Sequence, residues 1–289
     1  MASSLRAFLK AARRKAADFR DVPFRWWCEW QAVWRLEHPR RARAHGLPGE
    51  LILSLTSYPP RFGTLHLTLG YLLDQSLKPD CVILWIAHAD VEKLPNEVRK
   101  LEARGLEIRA CDDLRSFKKL VPALEAFPEA FIATADDDVY YERSWLGELV
   151  KGVSSSPGTI TCHRAHRIKR SADGKASPYL QWEFDVQDER ARRPSRDLLP
   201  TGVGGMLYPP ESLDMRAVDR ELFLRLCPHG DDLWFYWCAR MAGTLHKKVG
   251  DKMRPVMWPG SQNLSLWASN EAGGNDAIIA ALESEFPKP

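Results

Sequence analysis

The chain has no run of eighteen apolar residues, so no helix is expected to span a bilayer. Its first residues are basic, but no apolar core leads from them to a small-residue cleavage site, so a secretory signal is not expected either. Cys-x-x-Cys pairs are missing, and no histidine pair at the usual zinc-finger spacing accompanies the cysteines. The six that occur (Cys28, Cys81, Cys111, Cys162, Cys227 and Cys238) therefore read as reduced, mostly buried thiols of a cytoplasmic protein. There is no internal repeat and no low-complexity segment. One-signed charge is scarce as well: 41 Lys and Arg against 38 Asp and Glu leave a net charge of +3. That balance is uneven. Residues 1–48 hold eleven basic and four acidic residues, a surplus of +7, which leaves −4 on the remainder. A body of net negative charge is a poor nucleic-acid surface, so no nucleic-acid partner is expected.

What is present is a globular composition, 45% hydrophobic and 27% charged over 289 residues, enough for one substantial core with a small appendage. The most informative stretch is Phe131-Ile132-Ala133-Thr134-Ala135-Asp136-Asp137-Asp138. It reads as a short buried strand running into three acids. Acid clusters in loops are commonly solvated turns or helix starts. At the exit of a buried strand, however, like charges raise one another's pKa unless a cation relieves them. Asp136 and Asp138 are two apart and in an extended segment would share a side, which suits a hard cation such as Mg²⁺ or Mn²⁺.

Around that stretch the pattern alternates. Strands are expected at 51–55, 81–86 and 106–109, with helices at 65–73, 95–104 and 117–127 between them, and another helix opening at Ser144. This predicts an α/β fold with a mostly parallel sheet and helices on both faces, so that the residues after the strands (Ser57, Asp112, Asp136) converge on one rim. Residues 163–199 lack periodicity and read as a long loop anchored by Trp182. Gly202-Val203-Gly204-Gly205 is a weak phosphate-binding signal that a tight turn would also explain. Asp231-Asp232 opens an apolar helix, where the helix dipole alone favours acids, and a final helix runs from Gly273 to about Glu285.

The ordered set Asp136-Asp137-Asp138, Gly202-Val203-Gly204-Gly205 and Asp231-Asp232-Leu233-Trp234 resembles that of GT-A-fold glycosyltransferases, especially bacterial family-2-like enzymes of surface-polysaccharide synthesis. Leu55-Thr56-Ser57-Tyr58-Pro59-Pro60-Arg61 and Lys118-Lys119-Leu120-Val121-Pro122-Ala123-Leu124 add to the likeness, which covers roughly residues 50 to 280. The resemblance implies a nucleotide-sugar donor, a glycan or lipid-linked acceptor and a Mn²⁺ or Mg²⁺ cofactor. Asp136 and Asp138 would form the metal-binding Asp-x-Asp motif, Asp136 also reaching the ribose. Ser57, Tyr58, Arg61, Asp112 or Asp113, Lys118 or Lys119, and Gly204 would hold the nucleotide. Asp231 or Asp232 would be the base of an inverting transfer; the family usually has Glu where Asp231 stands, which leaves the choice open. His246 is a candidate third metal ligand and His229 a second candidate for proton handling, although a histidine beside Lys247 and Lys248 is commonly at the surface. Trp182, Trp234 and Trp237 would stack on an acceptor glycan or pack the core, the core being favoured for Trp237.

Two other classes fit less well. A sugar-1-phosphate nucleotidyltransferase usually has a glycine-rich loop after its first strand, and Thr56 to Arg61 contain no glycine. A non-catalytic glycan-binding module would not need both acid clusters. The division expected is a basic helical extension at 1–48 and a GT-A-like domain at 49–289. In the extension, Leu5, Phe8, Leu9, Ala12, Ala16 and Phe19 recur at helical spacing between Arg and Lys, and Trp26, Trp27, Trp30 and Trp34 follow. Residues 1–45 are thus either a helix docked on their own domain or a peripheral contact with the inner face of a membrane.

Overall fold

The computed structural model describes residues 22–24, 26–35, 37–38, 40–171, 174–253, 256–258 and 274–286. The helix expected at 3–20 lies outside the described residues, as does Gly273 at the start of the last helix.

Residues 22–24 and 26–35 are helical (α1). A minor strand β1 (Arg43–Ala44) precedes β2 (Leu51–Thr56), which leads through a 3₁₀ turn at Pro59–Arg61 into α2 (Phe62–Leu73). The minor strand β3 (Leu77–Lys78) pairs with β1; β4 (Cys81–Ala87), α3 (Asn96–Arg99) and β5 (Leu106–Cys111) follow. Then come α4 (Val121–Ala126), β6 (Phe131–Ala135), α5 (Trp145–Ser155) and β7 (Ile160–Cys162). The second half adds β8 (Ala165–Arg167), β9 (Leu198–Pro200), β10 (Met206–Tyr208), α6 (Arg220–Leu226), α7 (Asp231–Met241), β11 (His246–Lys248) and α8 (Asn275–Glu285).

The expected strands and helices form, with two local differences. The helices expected at 95–104 and 117–127 are each split into an α and a 3₁₀ piece. At the second break Leu120 takes φ −128, and Pro122, which lacks an N–H, sits in the first turn of α4 where that donor is not needed. The segment 163–199 is more ordered than a plain loop: β8 and β9 pair within it, and Trp182 is its buried anchor.

The seven-stranded sheet has the order β11-β7-β10-β6-β2-β4-β5, with β10 antiparallel to both its neighbours and the other pairs parallel. Alternating side chains supply two cores. Ile52, Ile83 and Ile132 point to one face, against Val121, Phe223, Leu233 and Ile278 of α4, α6, α7 and α8. Leu51, Leu53, Leu55, Leu84 and Ala133 point to the other, against Leu65, Leu69 and Leu72 of α2, Val98 of α3, and Leu146 and Leu149 of α5. Period-two strands covered on both sides give the α/β, Rossmann-like class. All six cysteines are free, and Cys28, Cys162, Cys227 and Cys238 are buried. Among the described residues no helix is long and apolar enough to cross a membrane.

Topology sets the site. From β2 the chain moves outward to β4 and β5, then returns to the other side of β2 as β6. In such a sheet the connections leave the central pair in opposite directions, opening a crevice at the carboxyl ends. The register Leu55↔Ala135 places Thr56-Ser57 beside Asp136-Asp137 at that crevice.

Candidate functional site

Among the described residues, five carboxylates meet two fixed cations at the ends of β2 and β6. Lys119, buried at the end of a 3₁₀ turn, has its Nζ 3.0 Å from Asp136 Oδ1 and 2.9 Å from Asp231 Oδ2. Burial opposes its charge, but Asp136, Asp231 and Asp232 outweigh that and hold its pKa well above the ordinary lysine value. Arg61 lies 2.6 Å from Asp137 Oδ1 and 3.2 Å from Asp138 Oδ2.

Asp232 is the electrostatically unsettled member. The Gly202 N–H donates to its Oδ2 at 2.9 Å, while its Oδ1 is buried with no hydrogen-bond donor among the described residues. Burial, and then the neighbouring charge of Asp231, push its pKa up to about 7, against the pull of Lys119 and the Gly202 N–H. A carboxylate in that range can accept a proton near neutrality.

Glycine makes this closeness possible. A Cβ on Gly202 would lie 2.6 Å from Lys119 Nζ, 3.1 Å from Asp232 Oδ1 and 3.3 Å from Asp136 Oδ1. Gly205 has φ +74, and a Cβ there would meet the Trp145 ring at 2.3 Å. Gly204, a candidate for phosphate, is engaged in packing: its carbonyl accepts from Trp145 Nε1 and its α-carbon faces Arg164.

The acid turn differs from the extended segment expected. β6 ends at Ala135 and Asp137-Asp138 form a turn, so Asp136 is paired with Lys119 and Asp138 with Arg61. The reason is Asp137. Three consecutive acids cannot all face one way, and the middle one turns inward, where Ser57 Oγ and Arg61 both donate to it. Burial still raises the Asp137 pKa, with Arg61 and Ser57 opposing. Thr68 donates to the Asp137 carbonyl at 2.9 Å, Trp258 Nε1 donates to the Thr68 hydroxyl at 2.7 Å, and the Trp258 N–H donates to the Asp138 carbonyl at 3.2 Å. On the other side, the Asp136 N–H donates to the Tyr141 hydroxyl at 2.8 Å.

The remaining candidates divide. Tyr58 lies beneath the Arg61 guanidinium, 5.6 Å from its ring centre, at the rim of the same crevice. Lys118 points away from the acid cluster and donates to Asp113 at 2.7 Å. Asp112 pairs with Arg220 and lines a cleft of about 360 Å³ with Trp85, His88, Cys111 and Glu125 at the ends of β4 and β5. His229 is exposed, beside Arg115. The structure does not bring His246 to the acids. It starts β11, is buried rather than at the surface, and lies against the Tyr236 ring, where burial lowers its pKa to about 3. Trp182, Trp234 and Trp237 are all buried in the larger core, and Trp234 Nε1 donates to the Ala217 carbonyl, so these three rings are core residues rather than an open stacking platform.

The cluster's donors are hard carboxylate oxygens that, among the described residues, outnumber their cations, and Asp232 Oδ1 has neither a hydrogen bond nor an ion pair there. That chemistry fits Mg²⁺ or Mn²⁺ completed by phosphate oxygens. Among the described residues no three His, Cys, Asp or Glu side chains converge as a ready coordination shell, because Lys119 and Arg61 stand between the acids. Lys119, Asp137, Gly202, Thr68 and Tyr141 prove to be parts of one network. Of these, Asp137, Lys119 and Gly202 stood in stretches the sequence made conspicuous, whereas Thr68 and Tyr141 carry no local signal. No protein-family model matches this chain, and no curated protein matches its sequence.

Proposed function

We propose that the protein is a GT-A-type glycosyltransferase that moves a sugar from a nucleotide-sugar to a surface-glycan or lipid-linked acceptor. The observation that carries this reading is the meeting of the Asp136–Asp138 turn with the Asp231-Asp232 helix start at the switch point of a mostly parallel sheet, where carboxylates exceed cations among the described residues. Diphosphates bound at such crevices bring oxygens and negative charge, so a divalent ion is the natural bridge.

Asp136 and Asp138 would hold that ion, which would stabilise the departing diphosphate as a Lewis acid. Asp232 serves as the base: Asp231 is ion-paired with Lys119, whereas Asp232 Oδ1 has no ion pair or hydrogen bond among the described residues and Asp232 has a pKa of about 7. It takes the proton from the acceptor hydroxyl as that oxygen forms its bond to the anomeric carbon and the bond to the diphosphate breaks, an inverting displacement. Arg61 and Ser57 hold Asp137, and through it the shape of the turn. The cleft by Asp112 lies at the same carboxyl ends of the sheet and would receive the nucleoside.

The test is thermal unfolding of the full chain with a panel of nucleoside diphosphates and nucleotide-sugars, with and without Mn²⁺. A nucleotide at about a hundredfold excess over its Kd stabilises by about 2.7 kcal/mol, a clear shift. A Mn²⁺-dependent shift with one nucleotide, lost in Asp138→Asn, followed by sugar release from the matching donor, is expected. No shift with any nucleotide in Mn²⁺ would overturn the proposal in favour of a binding module.

A further inference from the structure

We infer that the outer face of α1 seats this protein on an anionic lipid surface. The helix has two opposed faces. Cys28, Ala32 and Arg35 are buried, the Tyr71 hydroxyl donates to the Cys28 carbonyl at 2.6 Å, and Arg35 lies over the Tyr71 ring. On the opposite side Trp26, Trp30 and Val33 are 69%, 61% and 48% exposed, and Trp27 beside them is 43% exposed. Positions 26, 30 and 33 fall on one stripe of a 3.6-residue helix, so these side chains form one continuous apolar surface. A cleft beside Trp30 and Val33, lined also by Thr64, His66 and Leu67 of α2 and by Glu29, keeps that surface open.

Charge selects the occupant. Arg40, Arg41 and Arg43 follow the helix and are exposed, Arg40 lying 5.5 Å over the Trp34 ring. Residues 1–21, which join the helix at Val22, repeat the same mixture of apolar and basic residues in their sequence. A second copy on this face would bring together two segments of +7 each, which repel. An anionic bilayer attracts them, and tryptophan and arginine are the side chains that partition to its interface. With no membrane-crossing helix among the described residues, α1 lies on the surface rather than through it.

The seat also touches the acid turn. Cys28 and Ala32 share a core with Tyr71, Tyr140 and Trp258, and Trp258 is bonded to Asp138 and Thr68. A protein so placed holds the crevice near a lipid-anchored acceptor, but the inference rests on the helix face and stands without the transferase reading.

Co-sedimentation of the full chain with vesicles of phosphatidylcholine alone, and of equal parts phosphatidylcholine and phosphatidylglycerol, tests it. Binding to the anionic vesicles that weakens with salt, and that falls by about tenfold or more in Trp26→Ser/Trp30→Ser and again in Arg40→Gln/Arg41→Gln/Arg43→Gln, is expected. The melting temperature of each variant shows that it still folds. Binding unchanged by the tryptophan pair, no binding of the unaltered chain, or a dimer that dissociates in the tryptophan variant would each overturn it.

Discussion

The two cations at the crevice, Lys119 and Arg61, look alike in sequence but hold different kinds of charge. Arg61 serves two acids, one of which also accepts from Ser57, and both acids sit in a turn braced by Thr68 and Trp258. Lys119 is a single ammonium among three acids, one of which, Asp232, has an oxygen with neither ion pair nor hydrogen bond among the described residues and a pKa near 7. Among the described residues the first node sets one guanidinium against two carboxylates and shapes the backbone. The second sets one ammonium against three, and an unbalanced buried charge persists only where something else meets it. The difference makes the Lys119 node the more sensitive of the two to loss of its cation.

The comparison breaks or sharpens in order of effect. Lys119→Met strands three acids and should cost about 3–5 kcal/mol, the usual result of removing one partner from a buried ionic cluster. Arg61→Met, partly exposed and with Ser57 still bonded to Asp137, should cost about 1–3 kcal/mol. Urea unfolding at neutral pH measures both, and equal losses would erase the distinction. Gly202→Ala should cost about 1–2 kcal/mol, since its methyl group displaces an ammonium fixed by two ion pairs. Loss of nucleotide-dependent stabilisation in that variant, beyond its loss of stability, would tie the Lys119 node to binding.

The smallest effect is a slope. Because the folded-state pKa of Asp232 is raised from the usual carboxylate value to about 7, the folded protein holds a proton that the unfolded chain releases. Its contribution is therefore complete below about pH 4 and is lost as pH rises to about 7. Asp232→Asn keeps an acceptor for the Gly202 N–H and removes the titration, so its stability should fall less between pH 5 and 8 than that of the unaltered chain. Parallel curves would show that Asp232 does not carry the shift. If Asp232 is the base, kcat/KM of the unaltered enzyme should rise through about pH 7 to a plateau.

The alternating sheet was legible because burial on both faces leaves nearly continuous apolar strands, Leu51 to Leu55 (broken only by Ser54) and Cys81 to Ile86 among them. The acids were legible because charge is conspicuous directly after such a strand. His246 was not, since an imidazole beside two lysines reads as polar surface, yet the pairing of β11 with β7 carries it into the core. Trp26, Trp30 and Trp234 were left open in the sequence: the same residue type is exposed on α1 and sealed in α7, and composition cannot distinguish them.

By itself the sequence determined the four strands β2, β4, β5 and β6, that one acid cluster ends an apolar strand and another opens an apolar helix, and that the leader is basic. Those properties are local, decided by side chains within a few positions of one another. Tertiary structure alone decided that Asp137 turns inward to Arg61, that Lys119 rather than Lys118 faces the acids, and that Gly202 lets them meet. Those contacts join residues distant along the chain, brought together by the parallel register of β2 with β6 and the antiparallel pairing of β10 with β6.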